Sequence, residues 1–293
     1  MLVRLLFKKF AAVSGLMMLI HSTSEFIAWR ESLANKTVAF VPTMGSLHNG
    51  HHSLIAHAAQ QCDLVVVSVF VNALQFGDAD DYNKYPRDER SDYLASVSAG
   101  ANIVFAPHQQ EIFPDDFNRY LTPSSLADNY EGKHRPGHFA GVVTVVSRLF
   151  DIVQPDVAIF GAKDYQQVAV IRAMSSELHP TIRIETLETV RDTDGLALSS
   201  RNTRLSIASR LQAQVIPRAL RSIADLHAHG EKRSHVLKSE GLKYFGAVPN
   251  MHVEYLDIVQ QDTLDTVDEA RNAVVLFAGV IDGVRLIDNL LLQ

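Results

Sequence analysis

His48 and His51 stand three residues apart at the end of the run Val41-Pro42-Thr43-Met44-Gly45-Ser46-Leu47-His48-Asn49-Gly50-His51. Two imidazoles at this spacing can both donate to the oxygens of one phosphate group. Ahead of them lies an apolar stretch, Thr37-Val38-Ala39-Phe40-Val41, that reads as a buried strand. A strand, a turn and a helix start make the unit that α/β enzymes use to hold phosphates, because the free N–H groups and the dipole of the helix favour an anion. Gly50 lets the backbone come close to a ligand. The run is not the glycine-rich fingerprint of dehydrogenases or P-loop enzymes. Its residues suggest a site for nucleotide phosphates. A plainer reading, in which the histidines only decorate a helix start, stays open at this point.

Three further clusters carry polar groups that suit a small anionic substrate. In Phe70-Val71-Asn72-Ala73-Leu74-Gln75-Phe76, the neutral amides of Asn72 and Gln75 both donate and accept, so they can read hydroxyls or a carboxylate; turn capping is the alternative. In His134-Arg135-Pro136-Gly137-His138-Phe139, Arg135 can meet an anion beside His138, or simply be a solvated loop arginine. The segment Phe160-Gly161-Ala162-Lys163-Asp164-Tyr165-Gln166-Gln167 is more telling. Lys163 falls where a helix begins, and a cation there opposes the helix dipole unless an anion shares the site. Asp164 could contact a ribose, help hold a metal or cap the helix, and Gln167 lies one turn further along the same face. Leu198-Ser199-Ser200-Arg201-Asn202, after the turn signal Asp194-Gly195, offers two hydroxyls and a guanidinium to a polyphosphate.

The elements that must position these residues alternate between strand and helix. A helix over 23–33, capped by Thr23 or Ser24 with Phe26, Ile27 and Leu33 as its apolar face, precedes the strand at 37–41. Leu54, Ile55, Ala58 and Ala59 recur at helical spacing after the histidines. Leu64–Phe70 is an almost continuous apolar run, as in a parallel strand covered on both faces, and Ile103–Ala106 and Val157–Phe160 complete four strands. This alternation implies an α/β fold with a doubly wound parallel sheet, in which ligands bind at the carboxyl ends of the strands. Beyond Arg201 the texture changes to two helical stretches, 206–227 and 234–245, followed by strands at 252–259 and 273–280. A smaller C-terminal α+β domain is expected, with its boundary near residue 188.

The formal net charge of −6 argues against broad nucleic-acid binding, which needs a basic face. A single cysteine, Cys62, allows no internal disulfide and reads as a small buried side chain between helix and strand; no cysteine–histidine zinc pattern exists. No segment reads as a transmembrane helix, and a reducing cytoplasm fits. Arg4, Lys8 and Lys9 before the apolar run 10–20 give a superficial likeness to a signal peptide, but no small-residue cleavage site follows. An unstructured N-terminal extension over 1–17 is expected instead.

Six segments in series, VPTMGSLHNGH, SVFVNALQF, YPRDERSD, RPGHFAGVVTVVSRLF, FGAKDYQQ and DGLALSSRN, resemble the pantothenate synthetase family. The likeness runs from about Met18 to RLIDN at 285–289. It implies the Rossmann-like core of the His-x-Gly-His nucleotidyltransferases over 18–187 and a C-terminal lid domain over 188–293, usually in a homodimer. It also implies the reaction. ATP and pantoate give pantoyl adenylate and pyrophosphate, and β-alanine then displaces AMP to give pantothenate, with Mg²⁺ as counter-charge. By resemblance, His48, His51 and Lys163 serve catalysis, with His51 as proton donor. Met44, Gly45, Ser46, Leu47, His48, Asn49, Gly50, His51, Gly161, Ala162, Lys163, Asp164, Val190, Leu198, Ser199, Ser200 and Arg201 match ATP contacts. Gln75 and Gln167 match the residues that hold pantoate, with Gln75 also near β-alanine. Asn72, Arg135 and His138 are expected on the same substrate side.

Two departures from the family pattern stand out. Ala73 replaces a usual proline, which removes a fixed φ from the turn before Gln75. Ala162 replaces a usual glutamate, which matters only if a carboxylate orients Lys163. Another nucleotidyltransferase of the same superfamily would share the two histidines but not the Asn72–Gln75 pair or the Gly161–Gln167 segment. A non-catalytic nucleotide-binding regulator would have no need for both histidines, Lys163 and the Ser199–Arg201 run together. A tRNA-ligating enzyme would need a basic face or an anticodon-binding domain.

Overall fold

In the computed structural model the described residues are 17–33, 35–246 and 248–292. The expected extension over 1–17 lies outside them except for Met17. The chain divides into two compact units, residues 1–161 with 170–187, and residues 162–169 with 188–293. The segment Ala162–Ala169 thus goes with the C-terminal residues, so Lys163, Asp164 and Gln167 belong to the second unit.

The first unit is built on six parallel strands: β1 (Met18–Ile20), β2 (Val38–Thr43), β3 (Leu64–Val69), β4 (Ile103–Phe105), β5 (Val157–Gly161) and β6 (Arg183–Leu187). They lie in the order β1-β4-β3-β2-β5-β6. The doubly wound parallel sheet expected from the alternation is therefore present. Apart from β1, which adds at the edge beside β4, chain order runs outward in both directions from β2, whose neighbours are β3 and β5. The carboxyl ends of these three strands flank the switch point, where such sheets leave a crevice for ligands. Val38, Ala39, Phe40 and Val41 are fully buried, as a central strand covered on both faces requires. Burying a side chain such as Phe40 contributes about 1.5–3 kcal/mol.

Three helices of this unit bear on the site, α2 (Asn49–Gln61), α3 (Glu89–Ser98) and α4 (His138–Val153), and α1 (Thr23–Glu31) precedes them. Helix α4 is apolar nearly all round and buried along most of its length. The cap of α1 corrects the sequence reading. Ser22 is the N-cap, because the Thr23 hydroxyl donates instead to the Glu111 carbonyl. The buried face of α1 is Phe26 and Trp29; Ile27 is exposed and the helix ends before Leu33. Cys62 caps the end of α2 and is half-buried rather than buried; desolvation still pushes its thiol pKa up. Strand β1, which pairs with β4, is the tail of the apolar run that resembled a signal peptide.

The second unit holds an antiparallel sheet, β7 (Met251–Gln260), β8 (Ala273–Ile281) and β9 (Val284–Leu292), in that order. Helices α5 (Ile207–Ala213), α6 (Val215–Ala228) and α7 (Ser234–Phe245) accompany it. Ile216, Leu220, Ile223, Leu237, Leu256 and Phe277 share its core, where the Phe245 and Phe277 rings stack 4.8 Å apart. The single helix expected over 206–227 is two. Pro217 has no N–H and its ring would clash with the carbonyl four residues back, that of Ala213, the last residue of α5.

Candidate active site

The loop from β2 into α2 is held by three devices. Gly45 and Ser46 both take positive φ, 79° and 54°, which turns the chain sharply after the strand. The Asp92 carboxylate, 4% exposed on α3, accepts from both backbone groups that follow: Ser46 N–H at 3.0 Å and Leu47 N–H at 2.9 Å. A Cβ on Gly45 would come within 2.6 Å of Asp92 Oδ2, so only glycine admits this approach. The two histidines then cap the helix reciprocally. His48 is the N-cap, and its Nδ1 accepts from Gly50 N–H at 3.1 Å. His51 Nδ1 accepts from His48 N–H at 3.2 Å. This is a capping box built from imidazoles. A nitrogen that accepts carries no proton, so both neutral rings bear it on Nε2. The ring centroids lie 4.1 Å apart. Met44, Asn49 and Gly50 belong to the same loop and first turn.

Next to β3, Asn72 caps a short 3-10 turn over Ala73–Gln75. Asn72 Oδ1 accepts from Leu74 N–H, and Nδ2 donates to Gln75 Oε1 and to the Gly141 carbonyl, each at 3.1 Å. The amide of Asn72 is thus satisfied within the protein, which favours the capping alternative. Gln75 Nε2 lies 2.8 Å from Met44 Sδ, a weak acceptor, so this amide sits beside the loop from β2 into α2. Helix α4 closes over the turn, and a Cβ on Gly141 would clash with the Leu74 carbonyl. His138 Nδ1 donates to the Gln75 carbonyl at 2.9 Å, which leaves Nε2 to accept from Arg135 Nη1 at 3.1 Å. Glu131 lies 3.7 Å from Arg135. Arg135, His138 and Gln75 therefore form one relay into the turn. The structure brings Met44, Asn72, Gln75, Arg135 and His138 together.

Gly161 ends β5. In the second unit, Ala162–Asp164 form a 3-10 turn, and Gln167 lies in the first turn of the helix that begins at Tyr165. Lys163, Ser199, Arg201, Asn202, Arg285 and Asp288 line a small pocket. Ser199 Oγ accepts from Arg201 N–H, so it caps the turn Ser200–Arg204. Leu198 N–H donates to the Val190 carbonyl and holds the approach to that turn. Asp164 is exposed, with an oxygen 3.7 Å from Lys163 Nζ. Beneath them Arg191 grips the Asp288 carboxylate with both Nη atoms, at 2.6 and 2.9 Å. Burial raises the Asp288 pKa, and the guanidinium pulls the other way. Asp92, Arg191, Asp288 and Asn289 were not singled out from the sequence. Asp92 closes the segment YPRDERSD, and Asp288-Asn289 closes RLIDN, so the signal lay in the matched segments themselves.

Comparison with known proteins settles the lineage. The family described as Pantoate-beta-alanine ligase matches residues 18–291. The chain belongs to this family. A pantothenate synthetase from Neisseria meningitidis serogroup A is 45% identical over 283 residues, covering 94% of this chain and 98% of that protein. The crystal structure of pantothenate synthetase from Thermus thermophilus superposes with a TM-score of 0.89 at 41% identity, over 94% of this chain and 99% of that one. A pantoate-beta-alanine ligase structure from Francisella tularensis, described as complexed with beta-gamma ATP and beta-alanine, gives 0.78 at 33% identity, over 94% and 98% of the two chains. Among the described residues no helix is long and apolar enough to cross a membrane, and no three His, Cys, Asp or Glu side chains gather as a metal site.

Proposed function

We propose that the protein condenses pantoate with β-alanine at the expense of ATP, through pantoyl adenylate, and releases AMP and pyrophosphate. A carboxylate is a poor electrophile; adenylation gives its carbonyl carbon a good leaving group. A pantoate carboxylate oxygen attacks the α-phosphorus in line and pyrophosphate departs. The amine of β-alanine then attacks the acyl carbon, AMP leaves, and the amine gives up a proton as the amide forms. Little covalent chemistry falls to the protein, so its residues act by placing reactants and by meeting developing charge.

The observation that carries this reading is the double histidine cap. With both Nδ1 atoms engaged as acceptors, His48 and His51 bear their protons on Nε2, the form needed to donate to phosphate oxygens. We assign proton donation to His51, with His48 beside it, and further ATP contacts to Met44, Gly45, Ser46, Leu47, Asn49 and Gly50. Lys163, Ser199, Ser200 and Arg201 meet phosphate charge, with Gly161, Ala162, Asp164, Val190 and Leu198 as further ATP contacts. Mg²⁺ enters as part of the substrate, the counter-ion of the ATP phosphates. Gln75 and Gln167 hold pantoate through neutral amides that do not compete for that ion. Asn72, Arg135 and His138 serve the same side by fixing Gln75 from within. On family grounds we also place the protein in the cytoplasm as a homodimer, with no nucleic-acid or membrane partner.

Pyrophosphate release from ATP tests the reading. Pantoate alone should support one turnover, and adding β-alanine should make release continuous with stoichiometric AMP. Equal turnover with unrelated carboxylates would contradict the substrate assignment.

A further inference from the structure

Strand β9, Val284-Arg285-Leu286-Ile287-Asp288-Asn289-Leu290-Leu291-Leu292, is apolar except for Arg285 and one adjacent polar pair. Both members of that pair, Asp288 and Asn289, are buried. An apolar pair would suit the strand equally well for stability, because burying a charge or an amide costs desolvation even when it is paired. The contacts show what the polar pair does. Asn289 Nδ2 donates to two consecutive carbonyls, Ala162 and Lys163, each at 2.8 Å. An amide NH₂ has two protons, and both are used. Asn289 is itself fixed at its other groups. Its backbone N–H donates to Asp288 Oδ1 at 2.8 Å, and its carbonyl accepts from Arg191 Nη2 at 3.2 Å. The same Arg191 holds the Asp288 carboxylate through both Nη atoms.

We propose that Asn289, locked by Arg191 and Asp288, is a positioning residue that orients the Ala162–Lys163 peptide groups and so presents the Lys163 ammonium to its pocket. The proposal rests on the role given above to Lys163. On this arrangement alanine at 162 should be tolerated, because the turn is gripped through its backbone carbonyls. Removing the amide lets the turn sample other orientations, and Lys163 then meets the developing phosphate charge only part of the time.

Asn289→Leu keeps the branched four-atom skeleton of the side chain, though with larger methyl groups, and removes both donors. Hydrogen exchange in the segment 162–166 should accelerate in this variant, whereas exchange in β8 should not. Pantoate-dependent pyrophosphate release in a single turnover should fall by about tenfold or more, the scale of losing one or two buried hydrogen bonds. In a Lys163→Ala background the same substitution should cost nothing further, because its effect passes through Lys163. Should Asn289→Leu fail to fold, Asn289→Ser, which keeps one donor, should show a smaller loss with the same dependence on Lys163. Unchanged exchange at 162–166, or an equal loss with and without Lys163, overturns the proposal. A wild-type protein that releases no pyrophosphate with pantoate overturns the functional reading instead, while the exchange result still decides whether Asn289 holds the turn.

Discussion

The His48–His51 loop and the Ala162–Asp164 turn follow adjacent parallel strands, β2 and β5, yet they are held by opposite means. The histidine pair of the first is self-made, each ring accepting from the turn within three residues, while the two N–H groups ahead of it go to Asp92. The second makes its fixing contacts with a side chain 126 positions further along the chain. One element has its caps written into a short stretch of sequence. The other is completed only when the last strand is in place. The two kinds of support differ in tolerance to change: local caps fail by local substitution, remote supports fail by loosening.

Substitutions can break or sharpen this contrast. The largest effects should come from the donors themselves. His51→Ala and Lys163→Ala should each slow adenylation by about two orders of magnitude or more, the scale of losing one focused transition-state donor. Single-turnover rates near wild type in either folded variant would remove that residue from the mechanism. Next comes the support of the first loop. Asp92→Asn replaces one acceptor by a donor that faces an N–H group, so ATP use should weaken by about tenfold to a hundredfold, the loss of one charge-assisted hydrogen bond. ATP titrations of this variant and of Asn289→Leu would compare the two supports directly; an Asp92→Asn enzyme with unaltered ATP affinity and rate would mean the loop holds its shape without it.

Gln75→Ala should weaken pantoate use by roughly ten- to a hundredfold while leaving ATP binding nearly unchanged, as expected for one or two neutral hydrogen bonds. A collapse of ATP affinity with pantoate binding retained would show the two subsites to be exchanged. The smallest effect is expected at the departure from the family pattern. Ala162→Glu should change turnover by less than about threefold, as a substitution away from any buried partner does. A large gain would mean that a carboxylate at 162 orients Lys163 after all, and that the remote support is only half of the arrangement.

What was legible in the sequence follows the same division. The strand over 37–41, the helix after the histidines and the change of texture near 188–201 rest on local apolar patterns, and the parallel sheet is there. The edge strands were not legible. Residues Met18–Ile20 and Arg183–Leu187 are short and gain their strand character from β4 and β5. The break at Gln214 was readable from Pro217 but masked by apolar spacing that continues across it. At the candidate site, the histidine pair, Lys163 and the serine–arginine turn were singled out by residue type. Asp92, Arg191 and Asn289 did not, because an ordinary aspartate, arginine or asparagine acquires its role from partners dozens of positions away.

The claim that pantoate is activated at the α-phosphorus is tested most directly by isotope transfer. Pantoate carrying ¹⁸O in its carboxylate, turned over with ATP and β-alanine, should pass one labelled oxygen to AMP and keep the other in pantothenate, with none in pyrophosphate. Label in pyrophosphate or inorganic phosphate, or AMP without label, would contradict an adenylate intermediate.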